Sequence, residues 1–212
     1  MAQASKGILG NISGTVGTVV GTTWRGKSVL RSRPDKKKNR RKSEKQAIQQ
    51  AKFALASSFQ QVMKDLLEIG FKTTAVGITG QNKAMGHMLK KAITGTYPDL
   101  QIAYNKVLIS QGTLHNAFDT KVSVATKESI QFTWTNNSIV SNANENDQVL
   151  MAAFCPELNC VVFRTGSNRN TGTDALQMPG FSGKTVHTWV SFITEDDSDI
   201  ATSFYTGEVI IT

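Results

Sequence analysis

The sequence predicts an α+β chain with a Gly-rich extended N-terminal arm, two helices, and a C-terminal antiparallel sandwich of the immunoglobulin or fibronectin type. Three observations carry this. The first thirty residues combine Gly with Val and Thr. A helical period then runs from Ser43 to about Thr94, and a period of two returns after Pro98 and lasts to the end. The implied segments are a Gly-rich β arm (1–33), a basic connector (34–45), a helical segment (46–97) and a β-sandwich domain (98–212).

In the arm, Gly7, Gly10, Gly14, Gly17 and Gly21 recur every three or four positions. The intervening Val16, Val19, Val20, Thr22 and Thr23 nevertheless favour extended backbone. Two strands are expected, Thr15–Trp24 and Lys27–Arg33, joined near Arg25-Gly26 and ended by Pro34. A two-stranded ribbon is marginal in water, so Val16, Val19, Val20 and Trp24 are candidates for contact with another subunit.

The formal net charge of +8 is concentrated in one stretch. Arg25, Lys27, Arg31, Arg33, Lys36, Lys37, Lys38, Arg40, Arg41, Lys42 and Lys45 face only Asp35 and Glu44, so this window alone carries +9. Residues 46–212 hold twelve Lys or Arg against fourteen Asp or Glu. A nearly neutral body therefore bears a basic segment that repels itself and stays extended until it meets negative charge. That segment reads as a solvated linker that needs no partner or as one packed on an acidic protein neighbour, and otherwise as a contact for nucleic acid bound without sequence preference. Trp24 is the only aromatic near the stretch, so base stacking is poorly supported there.

From Ser43, which can cap a helix, Ile48, Leu55, Val62 and Ile69 fall seven apart with Phe59 and Leu66 between them. This stripe predicts a helix of about 26 residues that stops at Gly70. A second helix is expected over Asn82–Thr94, with Met85, Met88, Leu89 and Ile93 inward and Gly95 beyond its end. The candidate strands are Gln101–Ser110, Lys121–Ala125, Ile130–Thr135, Gln148–Phe154, Cys160–Thr165, Thr185–Thr194 and Ile200–Ile211. Seven short strands over about 110 residues are the pattern of a sandwich. Ile130, Phe132 and Trp134 alternate inward, as do Val186, Thr188, Val190 and Phe192.

The same residues argue against several chemistries. Gly21 to Ser28 formally matches the phosphate-binding loop, but Pro34 follows too soon for the helix that loop requires. Cys155 and Cys160 bracket a four-residue turn and could face each other, although a reducing cytoplasm disfavours their oxidation. His87, His115 and His187 are too scattered to complete a zinc site. Glu195, Asp196, Asp197 and Asp199 fit a solvated hairpin turn better than a calcium loop. No nucleophile has an identifiable base, so no enzyme activity, cofactor or metal is expected. No apolar run is long enough to span a membrane and no Sec signal opens the chain. Cytoplasmic synthesis is expected, with exit only inside a particle.

Several blocks carry a family likeness. They are Lys6-Gly7-Ile8-Leu9-Gly10, Gly14 to Gly21 with Trp24 and Gly26, and Arg31-Ser32-Arg33-Pro34. Ser43-Glu44-Lys45-Gln46 into Ala51-Lys52-Phe53 continues them, and Val190-Ser191-Phe192-Ile193 with Ser203-Phe204-Tyr205-Thr206-Gly207 closes them. The chain resembles an uncharacterised-domain family abundant in Bacteroidota genomes, to which no activity is assigned, so the resemblance implies no functional residue. Where that family carries a hydrophobic residue after Trp-x-Gly, this chain has Lys27. The stretch from Arg33-Pro34 to Gln46 and Phe53 is also similar to blocks of small phage-encoded proteins. Together these features predict a non-enzymatic structural or adaptor protein of an assembly, such as a phage or phage-derived virion. Homo-oligomeric or multi-subunit contacts would run through arm and sandwich. The alternative is a sequence-independent nucleic-acid-binding protein acting through the connector.

Overall fold

The computed structural model describes residues 3–8, 12–24, 26–33, 43–73 and 77–212, the first of these in backbone only. The chain divides into two units, residues 1–43 and 44–212.

The first unit is a four-stranded antiparallel meander of β1 (Gln3–Ile8), β2 (Ile12–Val16), β3 (Val19–Trp24) and β4 (Lys27–Ser32). It thus has twice the strands the sequence predicted. The expected single strand Thr15–Trp24 is broken between Val16 and Val19, which sit opposite each other across Gly17-Thr18. Gly17 has a φ of +56°, the left-handed backbone that a two-residue hairpin with glycine first demands. The predicted joint near Arg25-Gly26 is the next hairpin, with Trp24 opposite Lys27.

The second unit starts with α1 (Glu44–Val62) and α2 (Lys64–Gly70). Glu44 lies in the first turn, where the helix dipole favours a carboxylate. Helical bonding continues across the joint, because Met63 N–H donates to the Phe59 carbonyl and the Met63 carbonyl accepts from Leu67 N–H. The pair is therefore the one long predicted helix, interrupted at Met63, whose ψ is 5°, and ending at Gly70. Its buried face differs from the predicted stripe. Ala56, Phe59, Met63, Leu66, Leu67 and Gly70 are buried, whereas Ile48, Leu55, Val62 and Ile69 lie half-buried beside them.

Thr79 caps α3 (Gly80–His87), its hydroxyl accepting from Asn82 N–H at 3.3 Å. A π turn over Met88–Ala92 follows. The predicted helix Asn82–Thr94 is thereby cut short. Ile93 and Thr94 belong to β5 (Ile93–Thr96), which pairs with β6 (Asp99–Ile102). The β-branched run Ile93, Thr94 and Thr96 before a Tyr-Pro turn favours strand over helix. The predicted strand Gln101–Ser110 is also corrected. It ends at Ile102, gives way to a 3₁₀ turn over Tyr104–Lys106, and runs on irregularly, with Ile109 N–H bonded to Ser203 Oγ at 3.0 Å.

The sandwich is built from β7 (Phe118–Thr126), β8 (Ser129–Thr135), β9 (Gln148–Cys155), β10 (Cys160–Asn168), β11 (Thr173–Gln177), β12 (Thr185–Ile193) and β13 (Phe204–Ile210). Sheet order is β11-β8-β7 on one side and β10-β9-β12-β13 on the other. Seven strands are present as predicted, but β11 replaces Gln101–Ser110. In the predicted strand Ile200–Ile211, Ile200 and Ala201 make isolated bridges only and pairing starts at Phe204.

Three layers result. Val149, Met151, Ala153, Val190 and Phe192 face the sandwich interior with Ile130, Phe132, Trp134 and Leu176. Leu150, Ala152, Phe154, Trp189 and Ile193 face the helices, packing on Phe59, Met63, Leu66 and Phe71. That double burial explains why β9 and β12 are apolar on both faces. Each fully buried large side chain contributes about 1.5–3 kcal/mol. Among the described residues no helix is long and apolar enough to cross a membrane.

Candidate functional site

Register decides what the arm presents. Trp24 lies opposite Lys27, Thr22 opposite Val29 and Val20 opposite Arg31, so Trp24, Val20 and Val29 share a face with both cations. Val16 opposite Val19, with Gly21 opposite Leu30, places Val16, Val19 and Leu30 on the other face. The four apolar residues predicted for subunit contact are therefore split between two faces. Trp24 is 62% exposed and Leu30 60%, and among the described residues of this unit only Gly21 is buried. Arg33 follows β4, its N–H donating to the Thr18 carbonyl at 2.6 Å. Lys45 sits exposed in the first turn of α1, its helical start favoured by Ser43 and Glu44. Arg25, Lys36, Lys37, Lys38, Arg40, Arg41 and Lys42 lie outside the described residues.

The Gly21 to Ser28 motif spans the β3–β4 hairpin, with Ser28 paired to Thr23 inside the sheet. A phosphate loop needs a helix springing from that point, and here Ser28 lies in a strand.

A different basic site emerges in the second unit. His87 from the end of α3, Lys90 and Lys91 from the π turn, Asn105 and Lys106 from the 3₁₀ turn, and Tyr205 from β13 line an open groove of about 780 Å³. Phe204, 55% exposed, forms part of the same wall. An adjoining hollow of about 340 Å³ shares His87, Lys90 and Lys91 and adds Lys83 from α3. Four of the twelve Lys and Arg after residue 45 line these two hollows, and none of the fourteen Asp and Glu does. Burial and then the Lys91 charge push the His87 imidazole below its ordinary pKa. Tyr205 is pushed up by burial and by Glu208, and its hydroxyl bonds His187 Nδ1 at 2.8 Å. His187 in turn stacks on Tyr104 at 4.0 Å. Sequence reasoning missed this groove; its one local signal was the adjacent pair Lys90-Lys91.

The remaining candidates do other work. Cys155 and Cys160 are register partners at the β9–β10 turn and both are thiols. Burial and the neighbouring Cys155 push the Cys160 thiol up. Asp199 accepts from Thr113 Oγ1 at 2.5 Å, and Asp197 pairs with Lys72 at 3.8 Å. Asp196 is held down at about 2 by the Ser198 and Thr194 hydroxyls. Among the described residues no three His, Cys, Asp or Glu side chains converge on a metal-sized point.

No curated protein matches the chain. Among solved structures it is similar to the fn3 domain of human collagen alpha-1(XX) chain, with 14% identity and a TM-score of 0.32 over 46% of this chain and 87% of that one. The family model of DUF6266, a family of unknown function, matches residues 11–207. Its match covers β2 to β4 of the arm, the helices and nearly all of the sandwich, and the chain belongs to that family.

Proposed function

We propose that the protein is a non-enzymatic structural or adaptor component of a macromolecular assembly, and that the arm makes the contacts between its subunits. The observation that carries this reading is the exposure of the arm's apolar residues. Val16, Val19 and Leu30 stand on one face and Trp24 with Val29 on the other, and all are exposed in the chain alone. A sheet this small needs a packed face to be stable, and a neighbouring subunit supplies one. The assembly in this reading is a phage or phage-derived particle. The likeness of the stretch from Arg33-Pro34 to Gln46 and Phe53 to small phage-encoded proteins supports it. Light scattering on the eluting full chain tests the reading through the mass of the species that forms.

The second reading is sequence-independent nucleic-acid binding through the basic stretch. The specific observation in its favour is that Lys27 and Arg31 share a face with Trp24. A mobility-shift titration tests it. Binding must weaken steeply with salt and must vanish when Lys36, Lys37, Lys38, Arg40, Arg41 and Lys42 are neutralised.

A further inference from the structure

The groove between the π turn and β13 has a charge distribution unlike the rest of its unit. Lys83, Lys90, Lys91 and Lys106 come from three separate elements, yet converge on two hollows that no carboxylate lines. Gathering cations on a concave wall costs electrostatic energy, which an anion bound there offsets. Lys90 and Lys91 also sit at a helix end, where cations complement the dipole. Lys106 on the 3₁₀ turn and Lys83 in the first half of α3 bring two more cations to the same hollows. The helix widens into a π turn where it meets the groove, a distortion frequently found at functional sites.

The wall has a second character. Phe204 is more than half exposed and lines the groove together with Tyr205 and Leu108. Asn105 brings an exposed amide able both to donate and to accept. Lysine suits phosphate as a point charge, an exposed ring suits the face of a base, and an amide suits a base edge. The volume falls within the range of small-molecule sites, roughly 300–1,000 Å³. We propose that this groove binds a phosphorylated nucleoside, with its phosphates among Lys90, Lys91 and Lys106 and its base against Phe204. This inference is independent of the arm's role, because none of these residues belongs to the arm.

Calorimetric titration of the full-length protein with ATP tests it, with tripolyphosphate and adenosine as separate arms. ATP is expected to bind more tightly than either fragment. Lys90→Gln, Lys91→Gln and Lys106→Gln together should raise the Kd by about a hundredfold, the scale of three lost contacts from solvent-exposed lysines. Phe204→Ala should raise it by about tenfold, the scale of one lost stacking contact. Neutralising Lys36, Lys37, Lys38, Arg40, Arg41 and Lys42 should leave the groove's affinity in place, which separates this site from the connector. Absence of ATP binding overturns the proposal, and so does binding that survives the triple groove variant. Tripolyphosphate binding as tight as ATP overturns the assignment of a base to Phe204. Circular dichroism of each variant verifies that its fold is retained.

Discussion

The Arg169 guanidinium and the Asp147 carboxylate form a fully buried ion pair, Nη2 to Oδ2 3.0 Å, at the centre of the sandwich's polar network. Arg169 also donates to Asn137 Oδ1 at 2.7 Å and to the His115 carbonyl at 2.8 Å, and lies 4.2 Å over the Phe192 ring. The Trp134 indole N–H donates to the Arg169 carbonyl at 2.8 Å. Burial pulls the guanidinium pKa down, and Asp147 opposes it. The pair thereby ties the loops carrying His115 and Asn137 to the 3₁₀ turn that carries Arg169. Arg169→Met strands the Asp147 charge and is expected to cost about 3–5 kcal/mol in urea unfolding. Replacing both residues by apolar ones should cost less than the sum of the two single changes.

Phe59 and Phe53 lie on the same helix and separate two kinds of aromatic. Phe59 packs edge-on against Phe154 at 5.0 Å and joins the helices to β9, whereas Phe53 is exposed. Phe59→Ala should destabilise by about 3–5 kcal/mol. Phe53→Ala should stay within about 0.5 kcal/mol, and a larger loss in the same unfolding assay would mean that Phe53 is covered.

Asp174 gives an acid-side signature. Burial alone would raise its pKa, but the Ser167 N–H at 2.6 Å, the Ala175 N–H at 2.7 Å and Arg164 at 2.7 Å together hold it below the usual carboxylate range. A depressed carboxylate stabilises the fold above its unfolded pKa and loses that contribution as pH falls through the folded value. Asp174→Asn should therefore cost about 1–3 kcal/mol at neutral pH. The gap from wild type should close as pH drops below about 4. Gly166 leaves the room for this carboxylate, since a Cβ there would run into Asp174 Oδ2.

His187 acts in the same direction nearer neutrality. Burial lowers its pKa against the opposing charge of Glu208, with Tyr104 and Tyr205 as its ring and hydroxyl neighbours. The unfolded chain takes up its proton first, so stability falls as pH drops below about 6.5. His187→Gln should flatten part of that decline between about pH 7 and pH 5. His87, lowered by burial and Lys91, accounts for a further part of the same sign.

Much of the architecture was legible because period and punctuation agree in this chain. The alternation of Ile130, Phe132 and Trp134, the long helix stopping at Gly70 and the turn around Pro156 all follow from local chemistry. The failures have physical causes. Thr173–Gln177 carries only Ala175 and Leu176 as apolar residues, and it becomes a strand through its pairing with β8, Leu176 opposite Ile130. On the long helix, Val62 and Met63 are both apolar, and it is Met63, at the non-helical joint between α1 and α2, that is fully buried. Buried Arg169 looks in sequence like any turn arginine between two asparagines. The groove was invisible because Lys83, Lys90, Lys91 and Lys106 meet only once β6 has folded the 3₁₀ turn back against the π turn.

The arm's role rests on its neighbours completing it, and hydrogen exchange across residues 12–32 at two concentrations measures that directly. With the full chain raised about a hundredfold in concentration, amide protection in β2 to β4 should increase together with the mass seen by light scattering. Val19→Asp with Leu30→Asp should abolish both changes. A chain that stays monomeric, with arm protection unchanged across that range, would contradict the account.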